Sequence, residues 1–233
     1  MRPEFAQLMP DTAPECRLGD SDELEGYVAT LRFCEEQLGS SHPHTLTAAN
    51  RLGIAFWQAG YSDRAIGLLD QALDRAAAAL GSDHPLRVDL LGTLGEILFE
   101  QRQLHQAQAI QREVLANRIR HSGENHPASL EAKGDLAAML YELGQIEEAG
   151  QNEQEAFEGA RAHLGSAHTV TTVLAWNRAM SCERLGDVDS ARRIIVNELV
   201  WLLSAEPSRL EPDQCAIRTL LEERLNWAAA PVC

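Results

Sequence analysis

The stretch Leu38-Gly39-Ser40-Ser41-His42-Pro43 comes back three times along the chain. It recurs as Leu80-Gly81-Ser82-Asp83-His84-Pro85, as Ser122-Gly123-Glu124-Asn125-His126-Pro127 and as Leu164-Gly165-Ser166-Ala167-His168-Thr169. The histidines stand at 42, 84, 126 and 168 and the glycines at 39, 81, 123 and 165, so every step is 42 residues. A fixed period of roughly 20–50 residues is the signature of a solenoid. In such a chain each unit packs on its neighbours, and no separate globular core is built.

Composition narrows the partners. Apolar residues make up 45% of the 233 and charged ones 24%, the balance of a folded soluble protein. The net charge is -15, from 20 basic and 35 acidic residues. Such a chain repels nucleic-acid phosphates and anionic membrane surfaces, so a protein segment, basic or neutral, is the expected partner. The five cysteines, Cys16, Cys34, Cys182, Cys215 and Cys233, share no disulfide or metal spacing and read as free thiols of a reducing compartment. No signal-peptide core follows Met1, and no apolar run approaches the ~20 residues of a membrane helix. A cytoplasmic protein is expected.

Each unit reads as two helical halves. Residues 1–19 carry Pro3, Pro10 and Pro14 without periodicity and are expected to form a mobile tail. Residues 20–38 have helical spacing and overlay Asp63–Leu80 after a 42-residue shift, which makes them a half repeat. Full repeats follow at about 42–80, 84–122, 126–164 and 168–204, giving an array over 20–204. In the first of these, Pro43 suits an opening helical turn, Gly60 ends the first helix, and Ser62-Asp63 reads as the cap of the second. The Gly60 position is Arg102, Gly144 and Gly186 in later units. Ala65, Ala107, Ala149 and Ala191 put a small residue where two helices must approach closely. After Ser204 a Pro-rich linker leads to a last helix, Asp213 to about Trp227, with Ile217, Leu220, Leu221 and Leu225 on one face. Residues 205–233 are read as linker and capping helix.

The unit resembles the tetratricopeptide repeat in the 42-residue form typical of kinesin light chains. Leu52-Gly53, Phe56, Ala65 and Ala72 carry the pattern in the first unit. Leu94-Gly95, Leu98 and Ala107 carry it in the second, and Leu136-Ala137, Leu140, Ala149 and Ala156 in the third. The fourth departs, with Arg178 for leucine, Cys182 for the aromatic and Thr169 for proline. The resemblance implies an all-α, right-handed α-solenoid of antiparallel helix pairs, about ten helices in all. It also implies that the first helices line a concave, peptide-binding groove.

The histidine ladder is a poor metal site. Equivalent residues on packed helices lie ~8–10 Å apart, whereas ligands sit ~2.0–2.1 Å from one zinc. Each His-Pro instead fits a helix start. No glycine-rich phosphate loop or nucleophile elbow is present, and no catalytic, cofactor-binding or metal residue is assigned. The groove positions implied by the resemblance are Asn50, Ile54 and Trp57 in the first unit and Gly92, Glu96, Phe99 and Glu100 in the second. Glu131, Gly134, Ala138, Tyr141 and Glu142 follow in the third, then Trp176 and Met180 in the fourth. Trp57, Phe99 and Tyr141 are expected to form a displayed aromatic row, each ~100° round the helix from a core position. Gly92 and Gly134 cost ~1 kcal/mol each in a helix interior, which calls for either a ligand or tight packing. The expected function is non-catalytic binding of a basic or mixed apolar and basic segment. Two rivals stand beside it: an enzyme or small-ligand pocket with Glu96 or Glu142 as base, and a structural module that forms homo-oligomers.

Overall fold

The computed structural model describes residues 20–229. The expected N-terminal tail and residues 230–233 lie outside the described residues. The described chain is helical throughout, without strands. The half repeat is α1 (Asp20–Leu38). The four full units are α2 (Pro43–Gln58) with α3 (Ser62–Leu80), α4 (Pro85–Glu100) with α5 (Leu104–Ser122), α6 (Pro127–Glu142) with α7 (Ile146–Leu164), and α8 (Thr169–Arg184) with α9. Helix α9 opens as Val188–Ile194, widens into a π turn over Ile195–Leu199 and closes as Trp201–Ser204. A 3-10 turn at Pro207–Arg209 precedes α10 (Pro212–Ala229).

The recurring turn is built by its two fixed residues. Gly39, Gly81, Gly123 and Gly165 all have φ between 85 and 90°, a region that side chains with a Cβ avoid. Three residues on, the histidine caps the next helix. The backbone N–H of His44, Leu86, Ala128 and Val170 donates to Nδ1 of His42, His84, His126 and His168, at 3.2 Å in each case. One of the orphan N–H groups of each helix start is thereby satisfied. The ladder is a set of four separate caps.

The second turn is less uniform. Gly60, Gly144 and Gly186 have φ of 82, 74 and 86°, and Arg102 takes the same left-handed form at 61°. The cap of α3 falls on Tyr61, which makes no side-chain cap bond, so Ser62 is already the first helical residue. Asp187 does cap α9, accepting from the Ser190 N–H at 3.1 Å.

The described chain forms two compact units. One contains α1 to α5 with residues 138–144, and the other residues 122–137 with α7 to α10. In the first, Leu46, Ala65, Leu69, Leu90, Ile97 and Ala107 are at most 1% exposed. Small residues set the helix spacing there. A Cβ on Gly53 would meet Leu69 Cδ2 at 3.0 Å, and one on Gly95 would meet Ile110 Cγ2 at 3.2 Å.

In the second unit Leu130, Val173, Leu199, Leu202 and Ile217 form the buried set. The departures of the fourth repeat find their partners here. Arg178, in the leucine register, lies 3.8 Å from the buried carboxylate of Glu153. Ser181 Oγ donates to the same carboxylate at 2.8 Å. In the register of Ala72 and Ala156 stands Glu198, which is buried and accepts from Ser166 Oγ at 2.7 Å. The widened π turn coincides with this bulky residue at a close-approach position. Helix α10 packs on α8 and the end of α9. It buries Ile217 and Leu221 fully and Leu220 by half. Leu225 lies outside the described side chains.

Candidate interaction face

The first helices expose one strip. In α2 the accessible residues of that strip are Asn50, Ile54 and Gln58, at i, i+4 and i+8. In α4 they are Gly92, Glu96 and Glu100 at the same register. Residues four apart share a helix face, so each set is one line of side chains. Ala138 and Glu142 continue the pattern within the same compact unit, both half-buried. In the other unit Glu131 and Met180 are half-buried.

The aromatic row is not displayed. Trp57, Phe99 and Tyr141 are 9, 7 and 8% exposed. A step of ~100° from a core position still falls within the ~100° apolar stripe of a packed helix. For Trp57 the covering group is visible, because its indole N–H donates to the Glu100 carboxylate of α4. The rings form a floor beneath the strip, whose accessible chemistry is amide, carboxylate and Ile54. In α2 the core position itself, Phe56, is only half-buried and meets Tyr61 edge-on at 6.4 Å. Trp176 is also buried, at 3%.

Sequence reasoning missed the cross-helix pairs at this register. Arg102 Nη1 donates to Glu142 Oε2 at 2.8 Å. In the other unit Arg224 of α10 forms a fork on Glu183, at 2.8 and 2.9 Å. The same guanidinium lies 5.4 Å over the Trp176 ring and 3.1 Å from Met180 Sδ. These pairs are 40 to 44 residues apart, so the period itself was the signal. Gln214 of α10 likewise donates to Thr172 Oγ1, 42 residues earlier.

The two glycines of the register differ in their surroundings. A Cβ on Gly134 would fall 2.4 Å from Leu174 Cδ2, so tight packing accounts for that glycine. Around Gly92 the nearest group is the tip of Arg118, at 3.9 Å. Packing gives no reason for glycine there. In the first unit of the register, Asn50 Oδ1 is buried and makes no hydrogen bond.

Burial pushes the Cys182 thiol above its ordinary range, against the pull of Arg178 and with help from Glu153 and Asp187. A thiol held protonated is a poor nucleophile. Among the described residues no group of three or more His, Cys, Asp or Glu is placed to hold a metal. No helix of the described chain is long and apolar enough to cross a membrane.

Comparison with known proteins converges on one repeat. The tetratricopeptide repeat family profile matches residues 62–120 and 90–162. Over residues 62–162 this chain carries tetratricopeptide repeats. Its fold is shared with a putative kinesin light chain of nearly identical TPR-like repeats from Podosopora anserina. That match has 21% identity and a TM-score of 0.67, and covers 81% of this chain and 89% of that one. BtubC (BKLC) from P. vanneervenii matches with 14% identity and a TM-score of 0.70, over 93% and 95% of the two chains. MamA matches with 15% identity and a TM-score of 0.51, over 78% and 93%. A search of curated proteins gives no match. Tetratricopeptide arrays of this kind are in general protein-interaction modules, and the departures at Arg178 and Glu198 sit inside that fold without breaking it.

Proposed function

We propose that the protein is a non-catalytic scaffold whose first helices bind an extended protein segment carrying lysine or arginine. The observation that supports this is the accessible strip Asn50-Ile54-Gln58 beside Gly92-Glu96-Glu100, within one compact unit. First helices ~8–10 Å apart present such strips as successive rungs, and a bound strand rising ~3.3 Å per residue meets a rung every third residue or so. Ile54 supplies apolar contact. Glu96 and Glu100 supply charge, and Glu100 is already held in place by the Trp57 indole. Gly92 lets the bound backbone come close. The resemblance to kinesin-light-chain repeats, in which the asparagine of the Asn50 register faces peptide, gives Asn50 the same role here.

The test uses strip residues, because truncating the buried rings confounds folding with binding. Purified protein and an Ile54→Arg/Glu96→Lys variant are passed over an array of ten-residue peptides that differ in lysine and arginine content. Expected is a variant with unchanged helicity and melting temperature that has lost capture of the basic peptides. A folded variant that captures them as well as the parent rejects the strip as the binding surface.

A further inference from the structure

We propose that the open edge between α1 and α2 is a second docking site, which takes an amphipathic helix of another protein bearing a lysine or arginine on one margin. A cavity of about 140 Å³ opens there, lined by Glu23, Leu24 and Tyr27 of α1 and by Ala55, Gln58 and Ala59 of α2. It is smaller than the ~300–1,000 Å³ of small-molecule pockets and suits side chains projecting from a larger partner.

The period says what shape covers such a surface. One step along, three of the same positions are Ala65, Leu69 and Ile97, each 0% exposed. There the cover over Leu69 is a first helix, α2, whose Gly53 backs onto that side chain. At the α1 edge no described helix does this, so Tyr27 and Ala55 are half-buried and Glu23 is exposed. The chain's own sequence one period before α2 has Pro10 and Pro14 in the registers of Leu52 and Phe56. Proline in a helix interior costs ~3 kcal/mol, so the sequence there departs from the first-helix pattern of the later units.

Charge fixes the partner's chemistry. Glu23 stands where later units have Ala65, Ala107, Ala149 and Ala191, all fully buried. A carboxylate covered at that position needs a cation beside it. Glu23 is the carboxylate that lines the cavity, and Glu35 of the same helix is already paired with Arg75 at 3.0 Å.

The probe is a stapled, labelled helix copying residues 43–58 with Phe56→Lys, paired with the same helix carrying Phe56→Glu. In the antiparallel pairing of α2 with α3, position 56 lies at the end of the helix next to the Ala65 register. The full chain is titrated with both. Expected is saturable binding of the lysine probe, about tenfold weaker binding of the glutamate probe, and reversal of that preference in a Glu23→Lys variant. Tyr27→Ala weakens the lysine probe about tenfold as well. If Tyr27→Ala fails to fold, the Glu23→Lys reversal carries the test alone, because Glu23 is exposed. Equal binding of the two probes, or no reversal, overturns the proposal. A large gain in probe affinity on deleting residues 2–16 assigns the edge to the chain's own N-terminal stretch and overturns it. So does a concentration-dependent dimer abolished by Tyr27→Arg, which assigns the edge to a second copy.

Discussion

Gly92 and Gly134 occupy the same register and have opposite surroundings, so the same substitution should have opposite effects. Alanine at Gly134 drives a methyl to within 2.4 Å of Leu174 Cδ2, a side chain that is itself buried. Overpacking of this kind costs about 1–3 kcal/mol, more than the ~1 kcal/mol gained in helix propensity. Alanine at Gly92 meets nothing closer than 3.9 Å and keeps the gain. Gly134→Ala should therefore lower the midpoint of urea unfolding, and Gly92→Ala should raise it. If Gly92→Ala also weakens capture of basic peptides while raising stability, the glycine serves the ligand. Equal destabilisation by both would refute the packing account.

Single residues also show where the sequence was readable. The His42, His84, His126 and His168 turns were legible because period, residue type and helix start agree, and all four cap as the spacing suggests. The exposure of Trp57, Phe99 and Tyr141 was not, because a 100° step does not say how wide the buried stripe is. That width depends on the neighbouring helix. Arg178 looked like a defect in the pattern for the same reason, since its partner Glu153 sits 25 residues earlier on another helix.

At the scale of elements, the pair Glu153 and Arg178 joins α7 to α8 where the α3–α4 junction carries Leu69 and Leu94 in the same registers. Both leucines are buried, at 0 and 6% exposure. Breaking a buried pair from one side costs on the order of 3–5 kcal/mol, and the partly exposed Arg178 puts this case at or below the lower end. Arg178→Leu alone and Glu153→Leu alone should each destabilise clearly. The double variant should recover most of the loss, because it recreates the leucine pair. Additive losses in the double-mutant cycle would show that the two side chains are not coupled.

Lys133 ties the turn before α6 to α7 through Glu124 at 3.1 Å and Glu155 at 3.0 Å. Burial pushes its ammonium down, but the hydrogen bonds to Glu155 and Glu124 outweigh this and leave it raised. The Lys133 hydrogen bond, then that of Gln151, holds the Glu155 carboxyl below its ordinary range. The sign follows from these directions. A lowered carboxyl contributes stability at pH values above the ordinary glutamate range and loses it as pH falls through its folded value. A raised ammonium contributes below the ordinary lysine range and loses it only in strong alkali. Glu155→Gln should thus lower the melting temperature at pH 7 and leave it nearly unchanged at pH 3, relative to the parent. An equal drop at both pH values would mean that Glu155 acts through packing and not charge.

For the whole molecule, on the proposed function, the net charge of -15 bears on how a basic segment arrives more than on how long it stays. Repeat architecture was legible from the period, whereas charge placement was not, because several acidic groups turn inward to neighbours. Glu142 pairs with Arg102, Glu183 with Arg224, and Glu153 with Arg178. On the proposed function, Ile54, Glu96 and Glu100 make the close contacts, and the rest of the acidic surface acts as a long-range field on the approaching segment. Surface fields are screened beyond about 8–10 Å at 0.1–0.15 M salt. Raising salt from 50 to 500 mM should therefore slow association of a lysine-rich peptide by about tenfold or more and change its dissociation much less. Ile54→Ala should do the reverse, speeding dissociation with little change in association. Stopped-flow measurement of both rates separates the two. An association rate that is flat across this salt range would show that the acidic surface does not steer the segment, and would leave the strip to bind by apolar contact alone.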